Sequence, residues 1–240
     1  MNFILQSAGP EEAIGLRNIE HKYMDMDLEA LNRKYSPLTP EQRIAALYTD
    51  FSEVLYTSSF GTTAVYLLHL FSKIHPAQKV HFLDTTYHFP ETLAYKEQLS
   101  KEFQLTVETL KGDEWRNKFT REDQTWSKDP DLCCSVNKVE PLEKIKSQFQ
   151  VWVSGLIGTQ NEHRHELKIF EERHGIIKFY PILDQSEEQV NAYILQHNLP
   201  RHPLQEKGYN SVGCTHCTVQ GKAREGRWLN KSKTECGLHL

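Results

Sequence analysis

Apolar and polar positions change their period several times along this chain, and those changes predict its elements. Residues 1–50 read as polar and helical. Thr39-Pro40-Glu41-Gln42 opens a helix, because Thr39 can cap, Pro40 suits the first turn and Gln42 completes a capping box. Ile44, Ala45, Leu47 and Tyr48 then follow at helical spacing. Beyond that, short apolar runs take over. Val54-Leu55-Tyr56-Thr57 predicts a buried strand, Ser58 to Thr63 a small-residue loop, and Ala64 to Ile74 an apolar helix. Lys79 to Asp84 predicts a second strand ending in an acid, Thr85 to Phe89 a loop, and Pro90-Glu91 the start of another helix. Leu105 to Glu108, Val151 to Gly155 and Ile176 to Leu183 read as further strands, and Ser186 with Gln189 as a second capping box. The charged stretch from Gly112 to Asp131 reads as a surface excursion. From Leu199 onward Pro, Gly and basic residues dominate and regular structure fades. The alternation indicates an α/β fold, a parallel sheet flanked by helices.

The 240 residues suit one large domain with a functional tail. The expected division is an N-terminal helical segment over 1–50, a nucleotide-binding α/β domain over 51–200, and a C-terminal segment over 201–240. A formal net charge of -4 argues against a general nucleic-acid binder. No apolar run approaches a membrane span, and Met1 to Ser7 lacks the charged start and apolar stretch of a signal peptide. The expected location is cytoplasmic, and a homo-oligomer is left open.

Five cysteines change the picture. Cys133 and Cys134 are adjacent, Cys214 and Cys217 form a C-x-x-C pair, and Cys236 stands on the last segment beside Glu235 and near His239. In a reducing cytosol, clustered cysteines are ligands or catalysts more often than disulfides. Thiolates suit zinc or an iron–sulfur cluster. Adjacent side chains diverge, which fits a cluster better than one small ion, but spacing alone leaves both open. Cys236 on a tail suggests a mobile nucleophile, since a thiol attacks as thiolate and nearby cations favour that form. Lys222, Arg224 and Arg227 lie just upstream, and read alone they are a solvated basic patch. Ser58 to Thr63 offers hydroxyls and a helix start suited to an anion, and Asp84 could take a ribose hydroxyl.

Ser58-Ser59-Phe60-Gly61, Leu83-Asp84-Thr85 with Phe89-Pro90-Glu91-Thr92, Lys138-Val139-Glu140-Pro141-Leu142 and Glu235-Cys236-Gly237-Leu238-His239 together resemble the assimilatory adenylyl-sulfate and phosphoadenylyl-sulfate reductases. The resemblance runs from about Thr39 to the end of the chain. It implies an adenine-nucleotide α-hydrolase-like fold in which the loops of Ser58, Ser59, Phe60, Gly61 and Thr62 and of Leu83, Asp84 and Thr85 hold the adenosine part of a sulfonucleotide. It implies that Cys133, Cys134, Cys214 and Cys217 hold a 4Fe–4S cluster, a pattern of the branch that takes adenylyl sulfate. Cys236 becomes the nucleophile, Lys138, Arg224, Arg227 and His239 contact phosphate and sulfate, and thioredoxin or glutaredoxin is the outside reductant. The implied setting is sulfate assimilation toward cysteine, with sulfite and AMP as products. Phosphoadenylyl sulfate, both substrates, or an iron–sulfur protein that binds nucleotide without reducing it are the alternatives. An adenylating enzyme of the same fold class does not match, for want of a Ser-Gly-Gly-x-Asp-Ser loop.

The chain departs from that family in three places. Thr86 stands where Gly is usual. Ile157 and Gly158 replace one or two expected Arg, so an anion contact is missing or supplied by His163, Arg164 or His165. Asn137 stands where cluster-bearing members tend to have Arg. That Asn137, with Ser58-Ser59-Phe60-Gly61 and His202-Pro203-Leu204, looks more like the phosphoadenylyl branch.

Overall fold

The computed structural model describes residues 26–229, 233 and 235–239. Expectations for residues 1–25 lie outside them. Helices α1 (Leu28–Tyr35) and α2 (Pro40–Asp50) come first. Thr39 and Gln42 form the expected reciprocal capping box on α2. Strand β1 (Val54–Thr57), helix α3 (Ala64–Ile74), strand β2 (Val80–Asp84), helix α4 (Pro90–Glu102) and strand β3 (Val107–Lys111) follow. The stretch read as a surface excursion is instead largely helical: α5 (Glu114–Glu122), α6 (Thr125–Lys128) and α7 (Pro130–Cys134). Short Asp caps start two of these helices, Asp113 on α5 and Asp129 on α7. A π-helical turn, Ser135–Val139, leads into α8 (Glu140–Lys146) and β4 (Val151–Val153). Helix α9 (Glu162–His165), strands β5 (Phe170–Arg173) and β6 (Ile176–Phe179), and α10 (Glu187–Gln196) complete the domain. Ser186 and Gln189 box the start of α10.

The strands form one sheet in the order β3-β2-β1-β4-β6-β5. All neighbours are parallel except β5 with β6. Sequence reading missed β5, whose Phe-Glu-Glu-Arg carries one apolar residue. It is an edge strand, paired through a tight turn at His174 and Gly175 with φ of 54° and 73°. Strand periodicity sorts the two faces. Val54, Tyr56, Val151, Val153, Ile177 and Phe179 point into the main core with α3, α4 and α10. Leu55, Trp152 and Ile176 point the other way, into a smaller cluster with Leu142 of α8, to which Leu238 of the tail is added. The strand order reverses between β1 and β4, and in such sheets ligands bind beyond the carboxyl ends at that point.

Candidate active site

A cleft opens where β1 and β4 diverge. The chain leaves β1 through a turn in which Ser58 N–H donates to the His81 carbonyl and Phe60 N–H to Ser58 Oγ. Phe60 adopts φ 50° and is fully buried edge-on against Phe82, so it anchors the loop rather than lining the cleft. Ser58, Ser59, Gly61 and Thr62 line it, and Thr62 is tied by its hydroxyl to the Asn210 carbonyl at 2.8 Å. Leu83 lines the opposite wall. Asp84 and Thr85 do not line the cleft. Asp84 caps the Thr86 N–H at 2.9 Å and pairs with Lys111 at 3.3 Å. Thr85 is buried with its hydroxyl 3.4 Å from Cys214 Sγ. Thr86 takes φ 63°, which accounts for glycine being usual there.

Four of the five thiols line one pocket beside the cleft, with Thr85, Tyr87, Trp126 and His216. Helix α7 carries Cys133 and Cys134; the turn at Thr215–Cys217 carries the other pair. That turn is fastened by Thr215 N–H to the Tyr87 carbonyl at 2.8 Å and covered by His216 stacked on Trp126 at 3.9 Å. Burial pushes the Cys133 thiol up to about 12, with Cys134, Cys214 and Cys217 adding to it. Among the described residues no group of three or more His, Cys, Asp or Glu is gathered to hold a metal ion. The four thiols that line the pocket are soft donors, of the kind that suits zinc or an iron–sulfur cluster.

The π-helical turn after Cys134 faces Lys138 toward both the thiol pocket and the cleft. Such wide turns recur at functional sites. Burial alone would depress the Lys138 ammonium, but Cys214, Cys134 and Cys236 outweigh it and raise its pKa. Asn137 on the same turn is buried, donating to the Cys133 carbonyl at 2.9 Å and accepting from Asn117 at 2.6 Å. An amide network therefore occupies the position where an arginine was expected.

The tail folds back over the cleft, which Cys236, Leu238 and His239 line. His239 N–H donates to the Cys236 carbonyl at 3.0 Å, closing a turn around the half-buried thiol. Glu235 is buried and gripped by Arg164 at 2.5 and 3.0 Å, Asn161 at 2.8 Å and Arg224 at 3.2 Å. Burial would raise the Glu235 pKa, but its hydrogen bond to Arg164 and the charges of Arg164 and Arg224 hold it below the usual carboxylate value. Arg224 is pushed down to about 10 by burial and then by Arg164. Arg227 lies 4.4 Å over the Trp228 ring and passes where a side chain on Gly213 would sit. Lys222 is exposed and outside the cleft.

His239 was expected to contact phosphate and sulfate, and it lines the cleft. Burial lowers its pKa well below the ordinary value, and Lys178, Arg164, Arg224 and Lys138 push the same way. Among the described residues its buried Nδ1 has no partner, as is true of Trp228 Nε1 at the same cleft. The missing arginines also have a structural reason. Ile157 is in the core, and a Cβ on Gly158 would sit 2.8 Å from the Leu183 carbonyl oxygen. Arg164 brings a guanidinium to the cleft instead. His163 donates to the His239 carbonyl at 2.9 Å, whereas His165 is exposed elsewhere.

Sequence reading missed Arg164 as a tail clamp, and also Glu235, Trp228 and Lys178. The last had a visible signal, a lysine inside the apolar run Ile176-Ile177-Lys178-Phe179.

Residues 53–220 match the phosphoadenosine phosphosulfate reductase domain. The chain is 37% identical over 201 residues to an adenosine 5'-phosphosulfate reductase of Bacillus cereus (strain Q1), covering 78% of this chain and 84% of that one. It is 36% identical over 225 residues to a phosphoadenosine 5'-phosphosulfate reductase of Gloeobacter violaceus, covering 88% and 93%. Among solved structures, the phosphoadenylyl-sulfate reductase of Candida auris in a phosphate complex superposes with a TM-score of 0.68 at 28% identity, covering 89% of this chain and 98% of that one. An FMN adenylyltransferase of Candida glabrata shares the fold alone, with a TM-score of 0.59 at 15% identity over 86% of this chain and 71% of that one.

Proposed function

The chain belongs to the phosphoadenosine phosphosulfate reductase family, and from that premise we propose that it reduces adenylyl sulfate to sulfite and AMP with Cys236 as the nucleophile. It is an oxidoreductase acting on the sulfur of a sulfonucleotide. The observation that carries the reading is the docked tail, which sets Cys236 in one cleft with the Ser58–Thr62 loop, Lys138 and Arg224.

The Cys236 thiolate attacks the sulfate sulfur. An S–S bond forms, the S–O bond to the nucleotide breaks, and AMP leaves with the electron pair. Two anions meet in this step, so preorganised positive charge is needed. Lys138, Arg224 and Arg227 supply it, and the His239 and Trp228 ring N–H groups add neutral donors. The product is an S-sulfonate on Cys236. A thiolate of an external dithiol protein such as thioredoxin or glutaredoxin then attacks Cys236 Sγ, releasing sulfite with its electron pair. Its second thiol resolves the mixed disulfide and regenerates Cys236.

Cys133, Cys134, Cys214 and Cys217 would hold a 4Fe–4S cluster, whose charge, when bound, would act on Lys138 without an electron having to leave it. That thiol set supports adenylyl sulfate over phosphoadenylyl sulfate. The reductant and the thiol ligands fit a reducing cytosol, and among the described residues no helix is long and apolar enough to cross a membrane. The test is a thioredoxin-coupled sulfite assay with both sulfonucleotides. Faster turnover of adenylyl sulfate is expected, and equal rates would overturn the preference.

A further inference from the structure

Lys178 is the third residue of β6, paired in register with Trp152 of β4 on one side and Glu171 of β5 on the other. It is 1% exposed. A charge inside a sheet is costly unless something specific holds it. Strand periodicity turns it to the same face as Trp152 and Ile176, the face on which Leu238 packs. There its ammonium donates to the Leu238 carbonyl oxygen at 2.5 Å. The Trp152 indole lies 4.4 Å from the ammonium and 6.0 Å from the His239 ring. Trp152 is itself fixed, its Nε1 donating to Thr57 Oγ1 at 2.8 Å. The sheet thus presents a cation, an indole and an apolar floor to Leu238 and His239.

We propose that Lys178 is a positioning residue for the nucleophile: by holding the Leu238 carbonyl it seats the Cys236–His239 turn on the sheet and sets where Cys236 meets the substrate. Nothing in the family motifs or in the chemistry of the sulfur step assigned it this place. The groups around it agree. Burial pushes the ammonium down to about 8; Cys236 and Glu171 draw it up, and Arg173 and Lys146 push it further down. A hydrogen bond from a charged donor biases docking by roughly ten- to a hundredfold, which leaves seating reversible. Glu235 grips the other side of Cys236, so the thiol is held from both flanks.

The catalytic half of this proposal rests on the reductase reading; the seating half does not. Lys178→Met in the full chain removes the charge at nearly constant volume, a change that buried sites commonly tolerate. Amide hydrogen exchange of residues 235–239, followed without substrate, is expected to quicken about tenfold or more while β4 and β6 keep their protection. In turnover, kcat is expected to fall about tenfold or more, with the dissociation constant for AMP changed less than twofold. Unchanged exchange in the tail would overturn the proposal. So would exchange rising evenly across the sheet, which marks a merely structural lysine. Lys178→Gln, which keeps an N–H donor of shorter reach, is read in the same way. If neither variant folds, Lys178 is a requirement of the sheet and the proposal fails. Loss of sulfite formation in the wild-type chain would instead sink the reductase reading and leave the exchange result standing.

Discussion

Cys133 and Cys236 are the same side chain placed in opposite surroundings. Cys133 is 8% exposed at the end of a short capped helix, in an apolar pocket with Tyr87 and Cys214. Cys236 is half-buried on a tail, close enough to Lys138, Lys178 and Arg224 to act on each of them. The first setting makes a free thiolate costly and suits a ligand whose charge another group absorbs. The second surrounds a half-buried thiol with Lys138, Lys178 and Arg224, which suits the proposed nucleophile. Lys138 touches both settings, because the π-helical turn that follows Cys134 carries it to the wall they share. Residue type says nothing of this division; burial and neighbouring charge decide it.

The sharpest way to break the comparison is to exchange single thiols. Cys236→Ser is expected to cut sulfite formation by about 10⁴-fold or more, with iron content unchanged. Cys217→Ser is expected to do the reverse at the pocket, losing iron and visible absorbance. Undiminished turnover in Cys236→Ser would remove the basis of the division.

Next in size is the clamp on the tail. Glu235→Gln leaves Arg164 and Arg224 facing each other without their carboxylate, and one-sided removal from a buried pair is strongly destabilising. A fall in kcat of about tenfold, roughly 1.4 kcal/mol of barrier, is expected together with faster proteolysis of the tail. A normal kcat in this variant would show that Glu235 does not position Cys236.

Alkylation of the reduced, metal-free chain at pH 8 sharpens the contrast further. Peptide mass spectrometry should find Cys236 labelled first and Cys133 last, because burial holds Cys133 protonated up to about 12. The sign for stability follows. Between the ordinary value of 9.0 and about 12 the folded state keeps a proton that the unfolded state has lost. The contribution of Cys133 to the stability of the metal-free chain is thus full below pH 9.0 and falls as pH rises toward 12. Early labelling of Cys133 would contradict its burial.

The smallest effect is expected at Thr86, on the loop between the two regions. A β-branched residue at φ 63° is strained by roughly 1 kcal/mol. Its hydroxyl bond to Asn117 at 3.2 Å offsets part of that. Thr86→Gly is expected to raise the calorimetric Tm by about 2 °C, and a fall would mean that the hydroxyl bond outweighs the strain.

Much of the scaffold was legible along the chain. Both capping boxes, α3, the start of α4, and β1, β2, β4 and β6 lie where the residue pattern put them, though β4 stops at Val153 rather than Gly155 and β6 at Phe179 rather than Leu183. The helices of 114–134 were hidden because their faces are charged and their lengths short, leaving little periodicity to detect. Trp115 and Phe119 of α5 even stay exposed. In the cleft, the loop of Ser58 and the basic residues were legible, while Phe60, Asp84 and Thr85 turned out to lie outside its lining.

The sequence by itself determined the sheet class, the caps, the two thiol pairs and the singular fifth thiol, since each depends on residues within a few positions of one another. The tertiary structure alone decided that Arg164 closes on Glu235, 71 residues away, and that Lys178 reaches Leu238, 60 residues away. It also decided that burial and four facing cations lower the His239 pKa. Such outcomes depend on which side chains fold into one low-dielectric space, where burial and facing charges set protonation and partners. Local spacing carries no record of that meeting.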